Sequence, residues 1–356
     1  MTFLFLYSTI CLNERLKMIF EGEEMANYLS PLAPQRADPY VTKYEGKYYF
    51  TATHPLYDRI VIRCADTING IATAEERVVW VKHKLGKMAS HIWAPELHRI
   101  MGKWVIYFAA GEKCKVWKIR PFTLICKGDD PMTDEWVEGG MMQAHEDDPY
   151  SFTDFSLDMT VFENKGTWYT VWAEKVGQQH GISNLYIAEL ETPTKLKTVQ
   201  VLLSTPDYDW ERDGGFWVNE GPNVLKHDGM LYLTFSASAT GACYCMGMLR
   251  AREDSDLLDP RSWAKDRYPV LKTDESLNVF GPGHNCFVEG DEGETLCMLH
   301  FRSYEKITGD PLRDHNRHAH VMKVTFDETG APLFKLNGEE LYNTPFENEK
   351  QKHIND

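Results

Sequence analysis

Apolar residues in this chain fall in short alternating runs, and the runs come in pairs. Residues 43–53, "KYEGKYYFTAT", show the plan: a strand, a polar turn with glycine, and a returning strand rich in aromatic and β-branched residues. "PELHRIMGKWVIYFAAG" repeats it with a turn at "MGK", "MTVFENKGTWYTVWAEK" at "ENKG", "PNVLKHDGMLYLTFSAS" at "HDG" and "NCFVEGDEGETLCMLHFR" at "EGDEG". Long helical periodicity is almost absent. The hairpins start near positions 38, 95, 159, 222 and 285, a spacing of roughly sixty residues. Further strand-like runs lie between them: "DRIVIRCAD", "CKVWKI", "SNLYIAELE", "CYCMGMLRA" and "RHAHVMKVTFD" supply a third strand, and "WVEGG" and "VQVLLS" a fourth. Five units of this kind predict an all-β fold, a five-bladed β-propeller. A β-sandwich would not need such even repetition.

Boundaries and composition refine this reading. The opening "MTFLFLYSTICLNERLKMIF" is apolar but has no basic residue ahead of its apolar stretch, a poor secretory signal, and it is too short to span a bilayer. We therefore expect a weakly ordered extension over 1–26, one propeller over 27–345 and a tail over 346–356, in a cytoplasmic protein, with secretion as the alternative. The 53 acidic against 38 basic residues give a formal charge of -15, which disfavours a nucleic-acid partner. No membrane partner is expected, and nothing in the pattern fixes monomer or oligomer. The eight cysteines lack zinc-site spacing. Cys243 and Cys245, two apart, are expected to share a buried face of a strand.

Propellers gather the loops that start each blade around one mouth of a central channel. Asp38 precedes the first hairpin, Asp158 the third and Glu220 the fourth. An isolated Asp before Pro39 reads as turn chemistry. Three acids brought to one mouth read differently, because like charges raise one another's pKa and such costs are met at functional sites. Carboxylates without a metal cluster or a Ser/His/Asp order suit glycosidic-bond hydrolysis, where one activates water or attacks and another delivers a proton. Glu220 follows Phe216, Trp217 and Val218, whose apolar bulk is expected to raise its pKa, making it the acid and Asp38 the base. Most of the 10 Trp and 17 Tyr are expected in strand cores. Trp93, in the loop "SHIWAPEL", is placed to stack on a sugar ring, and Glu96 either to orient neighbours, to bond a hydroxyl or to start a strand.

These residues carry a resemblance. "RADPYV", "FSLDMTVF", "WVNEGPNVL", "HIWAPEL" and "GPGHN" together resemble the motifs of glycoside hydrolase family 43, over nearly everything after about position 30. The resemblance implies Asp38 as catalytic base, Asp158 as the residue that tunes and orients the acid, and Glu220 as general acid. The fuller run, "YFTATHPLYDRI", "YDWE", "EDSDLLDP" and "NRHAH", looks most like exo-acting α-L-arabinofuranosidases. That implies an inverting enzyme releasing arabinose from arabinose-containing oligosaccharides, α-1,5-linked chains among them. A β-xylosidase of the same fold and a non-catalytic carbohydrate-binding propeller are the alternatives. One departure stands between His300 and Arg302, where a small residue is expected and Phe301 is found.

The remaining candidates are basic. His284, ahead of the fifth hairpin, is expected to face the channel. The resemblance implies a structural Ca²⁺ or Na⁺ ion beside it, with no cofactor required for the chemistry. Arg302 is expected to bond sugar hydroxyls and Asp158 or Glu220. His54 and His91 are expected as pocket donors.

Overall fold

The computed structural model describes residues 28–177 and 181–341. The extension expected over 1–26 and the tail over 346–356 lie outside the described residues. Five antiparallel sheets follow one another along the chain, each a blade. Blade one holds β1 (Ala37–Tyr44), β2 (Lys47–Thr53), β3 (Arg59–Ala65) and β4 (Arg77–Val81). Blade two holds β5 (Ser90–Ile100), β6 (Lys103–Gly111), β7 (Arg120–Cys126) and β8 (Trp136–Met141). Blade three holds β9 (Ser156–Asn164), β10 (Thr167–Val176), β11 (Ile182–Thr192), β12 (Lys195–Leu196) and β13 (Val201–Ser204). Blade four holds β14 (Asn219–His227), β15 (Met230–Ala237), β16 (Cys245–Arg252) and β17 (Ala264–Lys265). Blade five holds β18 (Phe280–Glu289), β19 (Thr295–Arg302) and β20 (His318–Lys323).

The first hairpin of blades one to four turns on two residues, both with positive φ: Glu45–Gly46, Met101–Gly102, Lys165–Gly166 and Asp228–Gly229. This is the two-residue turn whose twist matches its strands, and glycine in its second place adopts that conformation without strain. The fifth hairpin takes the longer "GDEGE" loop, 290–294. Two expected strands need correction. Residues 114–119, "CKVWKI", form a rim loop, and the third strand of blade two follows at β7. Cys243 lies in the loop before β16, so only Cys245 is a buried strand residue.

Each pair of adjacent blades encloses its own apolar cluster. Ile60 and Trp104 meet between blades one and two, Tyr107 and Trp172 between two and three, Leu185 and Phe235 between three and four, Met246 and Phe301 between four and five, and Met298 and Phe50 between five and one. The ring is closed by the N-terminal segment. Leu32 and Ala33 donate to the carbonyl of Ala319 in β20, and Ala319 donates back to Ala33, so residues near 33 stand where a fourth strand of blade five would be. The burial of Leu32 and Ala33 fixes that closure.

Candidate active site

The innermost strand of every blade carries the same irregularity. The strand register breaks between Ala37 and Tyr40, Trp93 and Glu96, Leu157 and Thr160, Glu220 and Asn223, and Gly283 and Cys286. Within each break one residue has positive φ: Asp38, Ala94, Asp158, Gly221 and His284, at 44–56°. Such bulges re-aim side chains, and non-glycine residues hold this conformation at a cost in strain. Asp38, Asp158 and His284 therefore occupy one equivalent position in blades one, three and five. Glu220 stands one residue earlier in blade four. A Cβ at Gly221 would lie 3.1 Å from Cγ of the His284 ring, so the position equivalent to Asp38 is left to glycine and the preceding residue brings the acid.

Asp38 is buried and surrounded by donors. Its Oδ2 accepts from the Thr53 hydroxyl at 2.6 Å. Its Oδ1 lies 3.3 Å from His284 Nδ1 and 3.5 Å from Arg317 Nη1. Burial alone would push its pKa up, but His284 and Arg317 outweigh burial and hold it well below the usual carboxylate range. His300 plays a different part. Its Nδ1 accepts from the Asp38 amide at 3.0 Å, and burial beside Arg317 pushes its pKa well down, so the ring is a neutral acceptor there.

The other two acids are pushed the opposite way. Asp158 Oδ2 accepts from the Gly221 amide at 3.0 Å, which ties it to the residue after Glu220. Burial raises its pKa well above the ordinary value, with Glu220 and Asp38 adding to the rise and His284 opposing it. Glu220 Oε1 accepts from the Tyr244 hydroxyl at 2.9 Å. Burial raises its pKa too, against His284 and Tyr244, and the Asp38 charge adds to the rise. The bulk expected from Phe216 and Trp217 is not the cause. They are 57% and 43% exposed, and Trp217 stacks under the Arg212 guanidinium instead. Glu220 is itself half-buried in the mouth, and the packing around its carboxyl, not those two side chains, raises its pKa. His284 is the common counter-charge: burial lowers its pKa, and Asp158, Asp38 and Glu220 more than reverse this.

Stability follows from these directions. The pKa of Asp158 is raised on folding, so the protonated residue contributes stability that is complete below the unfolded carboxylate range and is lost as pH rises through the folded value. Asp158→Asn, a neutral isostere, should therefore gain in Tm over the parent as pH rises from 5 to 8. Melting curves of both proteins across that range check this, and parallel Tm profiles would contradict it.

The remaining expected residues are placed as follows. Arg302 is buried, and its guanidinium donates to the carbonyls of Thr240, Pro311 and Asp314. The expected bonds to Asp158 or Glu220 are not among its contacts. A buried guanidinium needs several acceptors, and the loop after β15 and the loop between β19 and β20 supply them, with the Asp314 carboxylate 3.5 Å from Nε. Arg317 is the guanidinium at Asp38. His91 donates from Nδ1 to the Val116 carbonyl, and its ring lies between Trp93 and Trp117, with centroids 4.4 and 4.8 Å away. Burial lowers its pKa, leaving Nε2 as an acceptor. Trp93 meets Tyr57 edge-on at 5.8 Å. His54 turns Nδ1 to the Leu56 amide. Glu96 sits one step deeper than the acids, in register with Tyr40, Thr160, Asn223 and Cys286, and bonds His98 at 2.8 Å. Phe301 faces away from the mouth and stacks on His320 in the core between blades four and five, so it does not shape the site.

Four contributors were missed: Thr53, Tyr244, His300 and Arg317. Thr53 had a signal, since it is the cross-strand partner of Ala37, next to Asp38. Its hydroxyl also accepts from the strained Ala94 amide at 2.7 Å, linking blades one and two.

For a channel ion, His284 and the ring beneath offer few donors. His284 Nδ1 faces Asp38 and Asp158, and Glu96 is committed to His98. Calcium takes roughly six to eight oxygen ligands. These residues do not fit a tightly caged ion.

A propeller mouth with one carboxylate held ionised, beside two whose protonated forms are favoured, has the acid–base pairing that glycosidic-bond cleavage requires. The comparisons agree with that class. The family model for glycosyl hydrolases family 43 matches residues 28–332, and the chain belongs to that family. It is 44% identical over 311 residues to an extracellular exo-α-(1→5)-L-arabinofuranosidase of Streptomyces avermitilis, covering 87% of this chain and 63% of that protein. It is 44% identical over 288 residues to an enzyme of the same name from Streptomyces chartreusis, covering 80% and 86% of the two chains. The crystal structure of an α-L-arabinofuranosidase from Lactobacillus brevis superposes with a TM-score of 0.80 at 45% identity, over 87% of this chain and 99% of that one.

Proposed function

We propose that this protein is an inverting, exo-acting α-L-arabinofuranosidase that releases arabinose from arabinose-containing oligosaccharides. The observation that carries this reading is the opposed tuning of Asp38 and Glu220 in one mouth, in a chain similar to relatives that bear that activity in their names. Asp38, kept ionised by His284 and Arg317, takes a proton from the water that attacks the anomeric carbon. Glu220, holding its proton, delivers it to the departing oxygen. Asp158 shares the raised proton affinity of Glu220 and fixes the Gly221 amide beside it. Inversion needs room for that water between the two carboxyls, about 6.5–9.5 Å. Hydrolysis of an aryl α-L-arabinofuranoside, an aryl β-D-xyloside and linear α-1,5-arabino-oligosaccharides by the purified protein tests the reading. Turnover of the arabinosides and not the xyloside is expected. Xyloside turnover alone would replace the reading with a β-xylosidase, and no turnover with a binding propeller.

No cofactor enters these steps. Any channel Ca²⁺ or Na⁺ beside His284 is held loosely, mostly by water. Chelator treatment should leave the protein folded, with Tm and activity nearly unchanged. A stoichiometric ion whose removal unfolds the chain would contradict this. None of the described helices is long and apolar enough to cross a membrane. The names of both Streptomyces relatives favour the secreted alternative over a cytoplasmic location.

A further inference from the structure

Blade two carries a feature on its rim that the acid–base chemistry does not use. Two loops meet there, 82–89 leading into β5 and 112–119 joining β6 to β7. Both lie on the mouth side, because Ser90 and Gly111, the paired ends of β5 and β6, stand just beyond Trp93 and its partner Ala109. Lys113 donates to the Gly86 carbonyl and Ala89 to the Gly111 carbonyl, so the loops are joined through their backbones. Together they hold Lys82, Lys84, Lys87, Lys113, Lys115 and Lys118.

The acids nearest these loops are engaged by other groups, and Asp310, which faces His91, caps the Leu312 amide. Lys118 takes Glu112 at 2.7 Å, Arg59 takes Asp58 at 2.8 Å and His83 takes Glu138 at 2.7 Å. Lys82, Lys84, Lys87, Lys113 and Lys115 have no ion-pair partner among the described residues. In a chain of formal charge -15 this is a local positive field. Lys82, His83, Lys84 and Lys113, with Asp58, line an open depression of about 430 Å³, large enough for a sugar ring. Trp117, 55% exposed, stands at the edge of this rim. Its ring rests on His91 and, through His91, on Trp93. Trp93 precedes Ala94, whose amide bonds the Thr53 hydroxyl that holds Asp38, so an aromatic stair leads from beside the base out to the loop that carries Lys113.

We propose that this rim binds the leaving-group side of an acidic glycan, one whose sugars carry carboxylates, with Trp117 against a sugar face and Lys82, Lys84 and Lys113 facing the carboxylates. The proposal rests on the arabinofuranosidase reading: with arabinose over the acids, the rest of the chain crosses blade two. A nucleic acid fits less well, because a long polyanion would meet the acidic remainder of the surface.

The test is a pair of arabinosylated oligosaccharides, one with a uronate backbone and the other with its carboxyls reduced to alcohols. At low salt the acidic member should be hydrolysed with a kcat/KM about tenfold higher, through KM, because exposed lysine–carboxylate pairs are individually weak and act together. The preference should vanish near about 0.5 M NaCl. Combining Lys82→Ser, Lys84→Ser and Lys113→Ser should erase it and leave an aryl arabinofuranoside unaffected. Trp117→Ala should raise KM for both oligosaccharides. No preference in the parent, or an unchanged preference in the triple variant, would overturn the proposal. If no arabinofuranoside is hydrolysed at all, the arabinofuranosidase reading fails, and the rim is judged by binding. Affinity electrophoresis through polygalacturonate should then retard the parent and not the triple variant. Equal mobility of the two proteins would overturn the rim's role, and equal retardation by duplex DNA would overturn the glycan class.

Discussion

Asp38→Asn is expected to lower kcat/KM by about 10³–10⁴-fold on activated and natural substrates alike, the upper range of a general-base contribution. Asparagine keeps the shape, and Thr53 still has an oxygen to donate to, but the charge that accepts the water's proton is gone. The loss does not depend on the leaving group, because water activation is needed whichever alcohol departs. The same change removes the counter-charge of Arg317 and His284. Asp38 has its pKa depressed on folding, so its ionised form contributes stability above the unfolded carboxylate range, and that contribution is lost as pH falls through the folded value. Asp38→Asn should therefore melt lower than the parent at pH 7, with the difference shrinking in strong acid. Kinetics on a folded sample, verified by circular dichroism, check the catalytic claim. Near-normal turnover would refute Asp38 as base.

Glu220→Ala should discriminate between substrates. The proton it supplies matters most for a poor leaving group. Hydrolysis of arabino-oligosaccharides should fall by about 10³-fold or more, and that of an aryl arabinofuranoside with an acidic phenol by only about tenfold. The raised pKa of Glu220 places its deprotonation on the alkaline side of the rate–pH curve, so that limb should disappear in the variant. Asp158→Ala should show a smaller leaving-group dependence, because Asp158 acts through the acid and its neighbouring amide. Values of kcat/KM for both variants on both substrates across pH decide the matter. Equal losses with an unchanged alkaline limb would mean that Glu220 is not the acid.

The hairpins were legible because each announces itself locally, by a turn with glycine and an aromatic return strand. The segment at 114–119 is rich in apolar residues, but they do not alternate, since Val116 and Trp117 adjoin, and the true β7 carries Pro121, which speaks against a strand in sequence. Ring closure near Ala33 was not legible, since a few isolated backbone bonds leave no periodic pattern. In the site, Asp38 and Asp158 could be read from their places before a hairpin. The sequence suggests the same place for Glu220, yet it stands one residue earlier because the His284 ring crowds Gly221. Thr53 faces Asp38 across its own hairpin, whereas Tyr244, His300 and Arg317 arrive from blades four and five, and only the packing of blades brings them to the acids. Arg302 and Arg317 are both arginines of the fifth blade. Which one meets Asp38 depends on the path of the loop between them, and that path has no sequence signature.

The central claim is that an ionised Asp38 activates water on the face opposite the proton delivered by Glu220. Proton NMR of the hydrolysis of an α-L-arabinofuranoside, followed from the first minutes, tests it most directly. With water activated opposite the proton donor, β-L-arabinofuranose is expected to appear first and then to mutarotate. First appearance of the α-anomer would show retention through a covalent intermediate and would contradict it.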